Sequence, residues 1–96
     1  MKRMNNNVPN GTYFFTTKSG SEYFIEIVES MKKLVRKNSK FELRKDNEQI
    51  EIKEIIRLEI GKSAVFRLEP LGLGSETTRI TSEVLDIIAL EGNILN

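Results

Sequence analysis

The stretch Thr12-Tyr13-Phe14-Phe15-Thr16-Thr17-Lys18-Ser19-Gly20-Ser21-Glu22-Tyr23-Phe24-Ile25-Glu26-Ile27-Val28 decides the fold class. Both of its ends are dense in aromatic and β-branched side chains, which suit a pleated, half-buried surface. Between them Lys18-Ser19-Gly20-Ser21 reads as a turn, with Gly20 free to take a positive φ. A β-hairpin is predicted.

The same pattern continues downstream. Glu29 to Asn38 carries two readings. Met31, Leu34 and Val35 fit helical spacing, whereas a turn at Ser30-Met31-Lys32 followed by Lys33-Leu34-Val35-Arg36 fits a strand. The strand is favoured, because a helix of about ten residues is marginal without good caps. Phe41 and Leu43 alternate with Lys40, Glu42 and Arg44 as a two-faced strand, and Asp46-Asn47 marks a turn.

Ile50, Ile52, Ile56, Leu58 and Ile60 share one parity, with Ile55 out of phase. That break predicts a bulge near Lys53-Glu54, or two shorter strands joined by a kink. Gly61-Lys62 connects this segment to the alternating Ala64, Phe66 and Leu68, completing a second hairpin. Pro70 to Ser75 is a loop that holds Leu71 and Leu73. Thr77 to Ser82 leads into Val84 to Leu90, a segment open to a short helix capped by Ser82 or to a strand. Its β-branched content favours the strand.

Six or seven short strands at roughly ten-residue spacing predict an all-β fold, either a small antiparallel barrel or a compact sandwich. Residues 1–10, with three consecutive asparagines, read as a flexible lead-in. Residues 11–91 form the single all-β domain and residues 92–96 a tail.

Composition removes whole classes of chemistry. The 96 residues contain no cysteine and no histidine. That excludes a disulfide, a thiol nucleophile, a Ser–His pair and an imidazole base or ligand. No phosphate-loop or dinucleotide fingerprint is present, so a non-enzyme without metal or cofactor is expected. A chain this short buries only about 60–65% of its unfolded surface. With disulfides and most metals excluded, self-association is the expected reinforcement, and a homo-oligomer follows. Fifteen bases against fourteen acids give a net charge of +1, low for a dedicated nucleic-acid binder. No apolar run is long enough for a membrane span and the start lacks a signal-peptide core, so a cytoplasmic location without membrane contact is expected.

Two polar segments stand out. Thr17, Ser19, Gly20, Ser21 and Tyr23 spell T-x-S-G-S-x-Y, and Thr81, Ser82 and Val84 spell T-S-x-V, with Arg57 to Ser63 between them as an apolar strand closing on a glycine. In this order the chain resembles short all-β proteins encoded by bacteriophages and other mobile elements, with Glu83 where many of those carry proline. The resemblance implies a small cytoplasmic protein of a bacterial host cell. It also implies a counter-defence role, in which a host protein is inhibited or a nucleotide messenger is sequestered.

Each segment combines hydroxyls with a cation. Brought together, Thr17, Lys18, Ser19, Ser21, Arg79, Thr81 and Ser82 could hold a small anionic ligand through charge-assisted hydrogen bonds, with Tyr23 stacking on an attached base. The plainer reading is that Thr and Ser simply populate strand faces and turns. A second feature is the basic run Lys32, Lys33, Arg36, Lys37, Lys40, Arg44 and Lys45, the alternative nucleic-acid surface. Its plainer reading is a solvated face paired with the acids that follow. Leu71 and Leu73 read either as a loop over the core or as a contact surface. Glu48, Glu51 and Glu54 lack the fixed spacing of a cation site.

Overall fold

The computed structural model of the protein describes residues 1–37, 49–70 and 77–90. Six antiparallel strands close into a barrel in chain order: β1 (Gly11–Thr17), β2 (Glu22–Val28), β3 (Met31–Lys37), β4 (Ile50–Arg57), β5 (Ser63–Leu68) and β6 (Thr77–Leu90). The all-β reading holds, and Met31–Lys37 and Val84–Leu90 are both strands. The expected strand at Phe41 and Leu43, the turn at Asp46-Asn47, the loop leucines Leu71 and Leu73 and the tail 92–96 lie outside the described residues. Among the described residues no helix is long and apolar enough to cross a membrane.

The first hairpin is built as its sequence dictates. Thr17 N donates to Ser21 O (3.1 Å), and Gly20 N to Thr17 O (2.9 Å), around a glycine at φ 93°. Strand parity then sends Tyr13, Phe15, Tyr23, Ile25 and Ile27 inward. Phe15 stacks on Tyr23 at 4.7 Å and 8°, and meets Phe66 of β5 across the barrel at 5.9 Å. Burying each such ring or aliphatic side chain contributes roughly 1.5–3 kcal/mol.

β4 carries the bulge expected near Lys53-Glu54 and a second one beyond it. Its register shifts between Ile52 and Glu54 and again between Ile55 and Arg57. The buried set is therefore Ile50, Ile52, Ile55 and Leu58, while Ile56 and Ile60 face outward. Each bulge adds one residue, so the inward spacing grows from two to three.

Residues 1–10 are tied onto the barrel. Met4 N donates to Leu58 O (2.9 Å) and Ile60 N to Lys2 O (3.0 Å), with an antiparallel bridge from Arg3 to Glu59 between them. The Asn6 amide then takes both polar groups of a bulged β4 residue. Its Oδ1 accepts from Ile55 N (2.8 Å) and its Nδ2 donates to Ile55 O (3.1 Å). Met4 is 3% exposed and belongs to the core. The segment completes the exposed flank of β4, which pairs with β3 only at Lys33↔Glu51 and Leu34↔Ile50.

The turn between β2 and β3 sits at Glu29-Ser30, one residue ahead of the expected position, and both residues have positive φ (49° and 73°). This is the two-residue hairpin geometry that asparagine and glycine occupy at least cost, yet neither is present.

Two outcomes test this account. Met4→Ala is expected to destabilise the protein by about 2–5 kcal/mol, read as a fall in the denaturation midpoint, because a buried side chain leaves a cavity. Replacing Glu29 by Asn together with Ser30 by Gly is expected to stabilise it by about 1 kcal/mol, raising Tm by roughly 4–8 °C.

Candidate functional site

The two hydroxyl segments meet. Thr17 pairs with Val84 at a register shift where β1 joins β6. Just beyond it, Lys18 N donates to Glu83 O (2.8 Å), and Ser19 N to Ser82 Oγ (3.1 Å). Ser82 Oγ in turn donates to Ser19 Oγ (3.1 Å). Ser19 Oγ also lies 3.2 Å from Thr17 Oγ1 and 3.5 Å from Ser21 Oγ. Four hydroxyls from two distant parts of the chain thus form one connected network.

The cation in this network is one the hydroxyl motifs did not contain. Arg36 of β3, buried inside the barrel, donates from Nη2 to Ser21 Oγ (3.2 Å). Strand parity was the signal available, since Leu34 and Arg36 share the inward face of β3. Arg79 is likewise buried and inward-facing, on the part of β6 that pairs with β5, opposite Phe66. Lys18 is exposed at the turn.

Chemically, most of the expected ligand groups are engaged in holding the barrel. Thr81 Oγ1 accepts from Ala64 N (3.0 Å) and donates to Ser82 O (2.7 Å), fixing the backbone where β6 bends. Thr17 and Ser21 are buried. Tyr23 departs from the expected role, because its buried ring stacks on Phe15 and is not available to a base. Ser19 and Ser82 are the two hydroxyls that reach the surface, and they bond to each other.

The described part of the basic run is divided by strand alternation. Arg36 points inward, whereas Lys33 and Lys37 point outward with Val35 between them. Lys33 is flanked by Glu26 on β2 and Glu51 on β4, and Lys37 lies beside Glu22 with its Nζ 5.6 Å from the centre of the Phe24 ring. Lys40, Arg44 and Lys45 lie outside the described residues, as does Glu48. Glu51 pairs with Lys53 (3.7 Å) and Glu54 with Arg67 (2.8 Å).

A different place offers a concave surface. At the far end of β2, a groove of about 420 Å3 is lined by Glu26, Val28, Glu29, Met31 and Lys33. Val28 and Met31 pair across the β2–β3 turn and are 53% and 48% exposed. Nothing in the sequence alone singled out this tip, because Val28 read as the end of a strand and Met31 as a turn or helix residue. A comparison of the chain with protein-family models, curated proteins and solved structures finds no match.

The hydroxyl network is a latch, and it has a measurable signature. Ser19→Ala and Ser82→Ala are each expected to cost about 0.5–1.5 kcal/mol. The double variant is expected to cost clearly less than their sum, because the two groups act through one bond. Lys18→Ala is expected to leave thermal stability within about 0.5 kcal/mol of the parent.

Proposed function

We propose that the chain is a non-enzymatic binding protein that inhibits or sequesters a protein of a bacterial host, and that the tip of the β2–β3 hairpin makes the contact. One observation carries the reading. An exposed apolar pair, Val28 and Met31, sits beside a groove on a turn held in left-handed backbone geometry without glycine. Strained backbone persists where its surroundings determine it, and it concentrates at binding sites. Here Asn10 helps to fix the turn, its Oδ1 accepting from Glu29 N (3.1 Å). The cost of keeping Glu29 at the tip is understandable if its carboxylate is read by a partner.

The choice of a protein over a small anionic ligand follows from the engaged hydroxyls and the stacked Tyr23. Apolar side chains rimmed by Glu26, Glu29 and Lys33 match the layout of a protein interface, an apolar centre within a charged border. The host setting comes from the resemblance to mobile-element proteins. Nucleic-acid binding is the competing reading, and the acids beside Lys33 and Lys37 weigh against it.

The test uses a photo-crosslinking residue placed at Met31 or, as a control on the opposite wall, at the exposed Ile80. In bacterial extract, position 31 is expected to capture one protein that position 80 does not. Val28→Ser with Met31→Ser is expected to abolish that capture with Tm essentially unchanged. Equal labelling from both positions would remove the tip from the site. Retention of generic DNA or RNA at low salt, lost steeply as salt rises, would reassign the chain to nucleic-acid binding.

A further inference from the structure

Strand pairing places three rows of side chains on the outer face of β6, β1, β2 and β3. Reading across these strands, the central row is Ile88–Phe14–Phe24–Val35. It is apolar from end to end, and its two rings touch at 4.9 Å. One flanking row is Asp86–Thr16–Glu22–Lys37, and the other is Leu90–Thr12–Glu26–Lys33. An apolar stripe crossing four strands, with Ile88 and Leu90 exposed at its margin, is uncovered surface on a barrel that has no cysteine for a disulfide and, among the described residues, no cluster of metal-ligating side chains.

We infer that this face is covered by a second copy of the same chain, packed about a two-fold axis that runs parallel to the strands between β1 and β2. The charge pattern selects both the occupant and the axis. Two sheets packed face to face are exchanged by a two-fold axis lying in the interface, either along the strands or across them. An axis across the strands exchanges the two flanking rows. Glu22 then meets Glu26 of the other copy, and Lys37 meets its Lys33, so like charges face each other in both charged pairs, while Asp86 meets the apolar Leu90.

An axis along the strands exchanges the two ends of each row. Asp86 then meets Lys37 of the second copy, twice in the dimer. Phe14 meets Phe24, Ile88 meets Val35, and Leu90 lies along the stem of Lys33. Charges are opposed by sign, and the apolar row closes on itself. The natural twist of packed sheets rotates the strands by about 30° around this arrangement without altering the pairing. The face is self-complementary in one orientation and self-repelling in the other.

This inference rests on other observations than the hairpin proposal, although the two surfaces share Glu26 and Lys33 at their border, and it has a consequence for it. An axis along the strands leaves both β2–β3 tips at the same end of the dimer. Two tips facing one way would bind a repeated or dimeric partner with avidity well above that of one tip.

The experiment is sedimentation equilibrium of the full chain over a wide concentration range, with circular dichroism confirming the fold of each variant. The parent is expected to reach a mass twice the 11.0 kDa of the chain. Asp86→Lys or Lys37→Asp alone is expected to weaken the dimer by on the order of a hundredfold, because like charges then meet twice. The two reversals together are expected to restore it to within about threefold of the parent. Phe14→Lys is expected to leave a folded monomer.

A parent that stays monomeric at millimolar concentration would overturn the inference. So would a dimer indifferent to all these changes, which would use another surface. Capture of a foreign protein by a crosslinker at Phe24, with no doubled mass, would give the face to a different occupant. The hairpin test stays distinguishable, since its probe is at Met31 and its readout is a foreign protein.

Discussion

The barrel depends on one bend in one strand. β6 is the longest strand, and it belongs to both walls: Thr77 to Glu83 pairs with β5, and Val84 to Leu90 with β1. At the change-over, residues 82–84 are gripped from two sides. The β1–β2 turn donates from Lys18 N to Glu83 O and from Ser19 N to Ser82 Oγ. The β4–β5 turn donates from Gly61 N to Val84 O and accepts from Val84 N through Lys62 O, both at 2.9 Å. Gly61, at φ 92°, provides the left-handed residue that lets the turn present its amide this way. One turn locks onto Ser82 and Glu83 and the other onto the adjacent Val84, so the walls cannot separate without losing bonds to these turns. The hydroxyl network, viewed first as a ligand site, belongs to this closure.

How much of this was legible in the sequence depends on where bulges fall. In β1, β2 and β5 the alternation is unbroken, and Phe15, Ile25 and Phe66 could be assigned inward from parity alone. In β4 and β6 it is broken. The buried positions run Ile52, Ile55, Leu58 in one case, and Thr81, Val84, Ile87 in the other. A helix competed for Val84 to Leu90 because Ser82 offered an N-cap, and the parity that Ile56 and Ile60 share with Ile50 and Ile52 does not survive two bulges. In β4 the broken parity did announce the bulge near Lys53-Glu54, where the register shifts between Ile52 and Glu54, but not the second shift between Ile55 and Arg57.

The lead-in illustrates a different blindness. Asparagines at a chain start read as solvent-loving, and composition offers no hint that Asn6 supplies the donor and acceptor that β4 needs at Ile55. Its amide imitates a strand neighbour. The candidate site was legible in the same partial way. The sequence left open whether Ser19 and Ser82 meet, and they do because β1 and β6 are neighbours in the closed sheet. It did not assign the cation correctly, since Arg36 reaches Ser21 through the pairing of β2 with β3, whereas Arg79 faces the interior on the opposite wall.

These details together explain why binding surfaces fall where they do. Inside, the barrel is filled by Phe15, Phe66, Ile25 and Leu34, and the polar groups of its closing end are tied to one another. A small barrel with a filled interior has no room there for a ligand, unlike wider barrels whose strand count opens a cavity. The proposed contacts use two of the apolar places on the outside: the apolar row on the β6–β1–β2–β3 face and the Val28–Met31 tip. They differ in kind. The row is broad, lies flat across four paired strands and is symmetric in charge about an axis along them, as a permanent contact between identical chains requires. The tip is narrow, projects beyond the sheet and carries its carboxylate on strained backbone, as a contact with a shaped foreign surface requires. In the proposed dimer, a chain with no cysteine or histidine to reinforce its fold would gain rigidity from the first contact and leave Val28 and Met31 of the tip free for the second.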